Sequence, residues 1–169
     1  MAGTKVKVKT AWGSKTKNSS ITISAKTLGG ALKELEKRDE WGKFDGKIGY
    51  AYKTDAQKNV TEVTLKPSYT IEMPKWTGYS KAPKECQQEW DRMWKKLEEH
   101  EEEHRKIHEQ CLKNIQDHLG KQSDYPVDDL KADMAHMAEH GQAQQDAFDS
   151  TTGHGSKKGV ELNVSATCA

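Results

Sequence analysis

From Glu85 to Leu119 the chain carries neither proline nor glycine. A run of that length without a breaker predicts one long helix. Its apolar residues keep helical spacing: Trp90, Met93 or Trp94, Leu97, then Ile107, Cys111, Leu112, Ile115 and Leu119. In the gap between Leu97 and Ile107, steps of three and four residues land on His100 and His104. The two imidazoles therefore stand in the stripe that faces the core. Most of the five glutamates between Glu98 and Glu103 point outward. Histidines that interrupt a core stripe need polar partners or a metal.

The stretch His100-Glu101-Glu102-Glu103-His104 reads H-E-x-x-H. Positions four apart on a helix lie one above the other, so both rings can share one ion. Glu101 is turned about a quarter-turn away. There it can reach a metal-bound water without being a ligand, which is the arrangement of a zinc peptidase with Glu101 as general base. The bland alternative is a solvated charged face, since a helix rich in Glu and His produces the pattern by chance. The apolar stripe argues against it.

A catalytic zinc needs a third protein ligand and an open position for water. Gly120 to Pro126 breaks the long helix, and Asp128 starts a second one that runs to about Phe148. The short connection implies an antiparallel hairpin. Residues level with His100 and His104 then fall near the end of the second helix, which brings His140, Asp146, Asp149 and the following turn within range. His154 stands between Gly153 and Gly155, where the backbone can bend an imidazole inward; an exposed loop histidine is the plain alternative. His136-Met137-Ala138-Glu139-His140 reads H-x-x-E-H, the inverted motif. Its flanks are ordinary amphipathic helix, which favours coincidence, with His140 at most a ligand or a donor to the transition state.

The N-terminal half reads as strands. Val6 and Val8 alternate with lysines over Lys5 to Thr10, and Ile21 to Ser24 is a second short strand. Ser14 to Ser19 reads as a polar turn. Thr27 caps a helix to about Arg38 with Leu28, Ala31, Leu32 and Leu35 on one face. Asp45-Gly46 signals a turn. Lys47 to Lys53 and Val60 to Met73 alternate as an antiparallel hairpin, with Pro67 at a bulge or edge. Thr61 to Met73 is a candidate edge for an extended substrate. Thr77 to Pro83 is a loop, and Val160 to Val164 a last strand. The fold class expected is α+β, a small mixed or antiparallel sheet on the long helix and a second helix. One domain is expected over residues 1–169: mainly sheet over 1–81, a helical hairpin over 82–149, and a ligand turn and strand over 150–169.

Composition limits the alternatives. Apolar residues make up 33% and charged residues 31%, so the core is thin and an ion tying two elements together would help it. Net charge is only +1, yet Lys and Arg gather before residue 82 and Asp and Glu after it. The two halves complement each other, so the basic half is read as internal complement rather than a nucleic-acid surface. No apolar run approaches a membrane span, and the first twenty residues hold no signal-peptide core. Cys86, Cys111 and Cys168 are an odd, widely spaced set, read as neither a disulfide framework nor a zinc site. Cys111 is read as a small buried residue.

Three separated stretches also resemble a bacterial family of predicted secreted zinc-dependent proteases, uncharacterised in function and grouped with the zincins. They are Thr70-Ile71-Glu72-Met73-Pro74-Lys75-Trp76; Trp90, Leu97, His100, Glu101 and His104; and Phe148-Asp149-Ser150-Thr151-Thr152-Gly153-His154-Gly155. The resemblance runs from about Thr27 onward. It implies a zincin-like fold, His100 and His104 as zinc ligands, Glu101 as base, and His154 as third ligand with Asp149 as alternative or supporting residue. The family usually has a small residue where Glu103 stands and Tyr where Phe148 stands. It usually also has a leader and a cysteine pair, not matched here. A member without them would be cytoplasmic or carried out by a dedicated secretion machine.

The expectation is a Zn2+ metallopeptidase acting on a peptide or protein, with His140 or Tyr79 helping at the oxyanion. The rival expectation is a protein-binding module with a structural metal. Nucleic-acid binding is the weakest reading, because the lysine-rich strands carry no aromatic platform.

Overall fold

The computed structural model describes residues 3–169. In chain order come β1 (Lys7–Thr10), β2 (Lys15–Ile23), α1 (Leu28–Leu35), β3 (Lys43–Thr54), β4 (Asn59–Trp76), α2 (Lys84–Leu119), β5 (Tyr125–Pro126) and α3 (Val127–Thr152). Short 3-10 turns stand at Tyr79–Lys81, Ser156–Lys158 and Ala166–Cys168. The architecture is one small sheet with three helices.

Every other strand pairs with β4. Its pairing with β1 is parallel, from Lys7 opposite Glu62 to Thr10 opposite Leu65. Its pairing with β5 is antiparallel, Asn59 opposite Pro126 and Val60 opposite Tyr125. The sheet is therefore mixed, parallel between β1 and β4 and antiparallel between β4 and β5. Only a hairpin-length connection joins β3 to β4. There the Asp55 carboxylate accepts from the backbone N–H groups of Gln57 and Asn59 at 2.9 and 2.8 Å. The segment Thr61 to Met73, expected to offer an edge, lies inside β4. A strand that all the others pair with is not a free edge for substrate.

The chain divides into two compact units. The first holds the described residues up to Lys15, with Gly46–Tyr69 and Arg105–Asp146. Its core joins Val6, Val60, Val63 and Leu65 of the strands to Leu112, Ile115 and Leu119 of α2 and to Tyr125, Leu130 and Met134. Within it α2 and α3 run antiparallel: His118 Nε2 lies 2.6 Å from Asp133 Oδ2, and Cys111 Sγ lies 3.9 Å from the Met137 carbonyl. A methyl group on Gly141 would stand 2.8 Å from Cys111 Sγ. Glycine thus allows the close approach. Cys111 is half-buried rather than buried.

The second unit holds Thr16–Asp45, Thr70–His104 and Ala147–Ala169. Thr27 Oγ1 accepts from the Gly30 N–H at 3.1 Å and so caps α1, which buries Leu28, Ala31 and Leu35. Ile21, Ile23, Ile71 and Met73 are buried. So are Trp76 and Trp90, whose rings lie 5.4 Å apart. Lys17 pairs with Glu98 and Glu102 at 2.6 and 2.9 Å, one instance of the charge complement expected between the basic and acidic halves.

The C-terminal segment is fastened along the start of α2. Arg92 donates to the carbonyls of Gly159 and Glu161 at 3.1 and 2.8 Å, and Glu89 accepts from the Asn163 N–H at 2.7 Å. Cys86 and Cys168 form a disulfide, with their Cα atoms 5.6 Å apart. This corrects the reading of three unconnected cysteines. A separation of 82 residues gives no local signal, and only the folded tail brings the two together.

Three local expectations also fail. Ser14 to Ser19 enters β2 instead of forming a turn: Thr16 bonds to Thr70 at 3.0 Å and Ser20 to Glu72 at 2.9 Å. The residues are exposed on both faces, so no apolar alternation marks the strand. Asp45-Gly46 lies within β3. Val160 and Leu162 are buried, as alternation predicts, but Val160 to Val164 forms no strand.

Candidate metal centre

The buried residues of α2 are Cys86, Trp90, Met93, Leu97, His100, Glu101, His104, His108, Leu112, Ile115 and Leu119. With Glu101 set aside, they recur at steps of three and four. One helical face thus carries three histidines among its apolar residues, and the burial expected for His100 and His104 is present at 6% exposure each.

His100 Nε2 lies 3.1 Å from Asp149 Oδ1, His104 Nε2 lies 2.9 Å from the same oxygen, and the two nitrogens are 3.2 Å apart. Hydrogen bonds alone do not satisfy this triangle. If both nitrogens carried protons toward Asp149, the two N–H groups would face each other. His100 Nδ1 is also buried without a hydrogen-bond partner. Three lone pairs directed at one point, two from imidazole and one from carboxylate, fit a divalent ion such as zinc. Burial, and then the neighbouring His104, hold His100 below the ordinary imidazole range, so its ring favours the neutral, metal-binding form.

Aromatic rings fix both imidazoles. Phe148 stacks on His100 at 4.8 Å and meets His104 edge-on at 4.9 Å, while Phe44 stacks on His104 at 6.0 Å. The chain has two phenylalanines in all, and both are placed here. Glu101 is 4% exposed. Burial first, then Glu40 and Asp149, push its carboxyl up to about 8. Gly42 makes room for it: a methyl group there would lie 2.7 Å from Glu101 Oε1 and 3.1 Å from Leu97 Cδ1.

Asp149 lies on α3, which continues to Thr152 instead of turning at Asp149. Thr152 Oγ1 donates to the Phe148 carbonyl at 2.8 Å, so a residue that looks turn-forming is satisfied inside the helix. Gly153, at φ 57°, then ends the helix, and the His154 N–H bonds to the Asp149 carbonyl at 2.9 Å. This is the six-to-one bond of a glycine-capped helix end. It brings His154 Nδ1 to 3.7 Å from Asp149 Oδ1, with the His154 side chain 55% exposed. His154 itself adopts φ 52°, unusual for a residue with a side chain.

The structure thus gathers His100, His104 and Asp149 in one potential ligand group, and Asp149 and His154 with Glu40 in another. His140 and His136 are exposed, and among the described residues neither belongs to any such group. Asp146 accepts from Gln142 on the exposed surface. Tyr79 is engaged elsewhere, its hydroxyl bonded to Asp91 at 2.8 Å. Glu40, Gly42 and Phe44 were not found from sequence. They lie in the irregular stretch before β3 and at its start, where no periodicity or motif marks them. His108 was missed as well, although it stands one further step of four along the stripe. It is buried between Trp12 and Tyr69, with ring centres 6.5 Å from each.

Fold and site together define a small α/β protein in which two imidazoles of one helix and a carboxylate of another converge on one point. The chain belongs to a family of bacterial proteins of unknown function (DUF922), which it matches over residues 18–155. That span holds Glu40, Gly42, Phe44, His100, Glu101, His104, Phe148, Asp149 and His154. No curated protein and no solved structure matches the chain.

Proposed function

We propose that the protein is a zinc-dependent hydrolase of the zincin type, acting on peptide bonds. One observation carries this reading: His100 Nε2, His104 Nε2 and Asp149 Oδ1 lie within 3.2 Å of one another, with the carboxyl of Glu101 next in sequence and buried. His100, His104 and Asp149 would hold the ion. A bound zinc would supply Lewis acidity and a water of lowered pKa. Glu101, held in the space left by Gly42, takes a proton from the water as it attacks the substrate carbonyl. It then returns the proton to the leaving amine. A cation nearby favours the ionised form of Glu101 against the burial that otherwise protonates it.

A structural zinc site is closed by four protein ligands. Here three donors lie within hydrogen-bond distance of one another and the Asp149 side chain is 18% exposed, so a bound ion would be within reach of water. That favours catalysis over a binding module with a structural ion. The test is zinc content as purified, then hydrolysis of a denatured protein or a mixed peptide library. Glu101→Gln should keep the metal and lose turnover. Full activity in that variant, or unfolding as the main effect of chelation, would overturn the reading.

A further inference from the structure

Asp149 belongs to both potential ligand groups, and the second, with Glu40 and His154, is not needed to complete the convergence on His100 and His104. Its three members come from separate segments: Glu40 from the stretch between α1 and β3, Asp149 from α3, and His154 from the turn after α3. One ligand atom from each lies within 4.8 Å of the others. The turn is built to keep His154 there. Gly155, at φ 87°, could not carry a side chain, since a methyl group would stand 2.6 Å from Val160 Cγ2 and 3.3 Å from His100 Cγ. The surroundings are also anionic. Glu40 and Asp149 both bear on the Glu101 carboxyl, so three carboxyl groups share one neighbourhood. His154 Nδ1 approaches the same Asp149 Oδ1 that faces His100 and His104, so Asp149 would bridge the two ions, as in two-metal hydrolytic sites.

The geometry points to a second divalent-cation site formed by Glu40, Asp149 and His154, sharing Asp149 with the first. An imidazole with two carboxylates suits zinc or manganese. The inference rests on the reading of His100, His104 and Asp149 as a metal centre. The full chain is stripped with chelator, reloaded with Zn2+ alone, desalted and analysed for metal per chain. The wild type should hold two equivalents. Glu40→Gln and His154→Ala should each hold one, with His100 and His104 still bound to it, as read from their imidazole NMR signals. A wild type holding one equivalent overturns the second site, as does a His154→Ala protein that keeps two or loses both. Hydrolysis is scored separately. Two ions without turnover would sink the peptidase reading and keep this site. Turnover at one ion per chain would do the reverse.

Discussion

Gly42 lies against Glu101 so closely that a single added methyl group would stand 2.7 Å from the carboxylate oxygen. The contact makes a backbone residue before β3 part of what positions the proposed base. Gly42→Ala should displace Glu101 while leaving His100, His104 and Asp149 in place. Misplacing a catalytic group by an ångström can cost about a hundredfold in rate. We expect kcat to fall roughly 10–100-fold with zinc content unchanged, measured by steady-state hydrolysis and metal analysis on the same sample. Loss of zinc in parallel would show that Gly42 supports the ligands instead.

Glu101 also sets a pH dependence in the metal-free protein. Its carboxyl loses its proton near 4.5 when unfolded and near 8 when folded. Between these values the folded chain holds a proton that the unfolded chain lacks. Stability is therefore present in full below the lower value, falls as pH rises through the window, and levels off above the upper one. The Tm of the chelated wild type should fall from pH 5 to pH 8 more steeply than that of Glu101→Gln. Added Zn2+ should flatten the slope by favouring the ionised carboxylate. Equal slopes in both chelated proteins would mean that Glu101 is not buried as a neutral acid.

What could be read from the sequence followed local pattern. The stripe of the long helix and the placing of His100 and His104 came from repeats of three and four residues, the helix itself from the lack of a breaker, and the cap at Thr27 from its hydroxyl. The register at the site came from none of these. The second helix was expected to run only to about Phe148, and it carries Asp149 and continues to Thr152 because Thr152 satisfies its own hydroxyl at the Phe148 carbonyl. His154 was placed near the site, but whether it or Asp149 faces His100 depends on the left-handed residues after Thr152. Glu40 and Gly42 stand in irregular chain, where a residue's neighbours are set by tertiary contacts alone. The disulfide was missed for the same reason, since Cys86 and Cys168 meet only after the tail has folded along α2.

That disulfide makes a stability prediction. A cross-link between residues 82 apart contributes about 4.5 kcal/mol in the chain-entropy account, an upper figure for real disulfides. Cys168→Ser should lower the unfolding free energy by about 2–4 kcal/mol in a urea titration. Reductant added to the unfolded wild type should lower it by a similar amount on refolding. Both sulfurs belong to buried residues, so reductant should act slowly on the native protein. A wild type indifferent to reductant through a full unfolding cycle would show that the two thiols are not joined.

The inverted motif on α3 gives a negative control. His136 and His140 are exposed and belong to none of the potential ligand groups among the described residues. The double variant His136→Ala, His140→Ala should keep wild-type zinc content, and its stability should change by less than about 0.5 kcal/mol, as surface substitutions do. If the variant loses zinc, the choice between the two motifs must be reversed.

Asp149→Asn separates the candidates for third ligand. It keeps the shape of the side chain and removes the charge that both imidazoles face at 3.1 and 2.9 Å. Residues that only support a ligand typically cost 10–100-fold in affinity when changed. A direct ligand should cost more, so Zn2+ affinity at the His100 and His104 centre should drop by more than roughly 100-fold, measured by competition with a chromogenic chelator. His154→Ala should leave that affinity within about tenfold, the low end of the supporting range, because its ring is 3.7 Å from Asp149 Oδ1 and more than half exposed. The opposite ranking, with Asp149→Asn mild and His154→Ala severe, would assign the third ligand to His154 and require the turn at Gly153 to close further when metal binds.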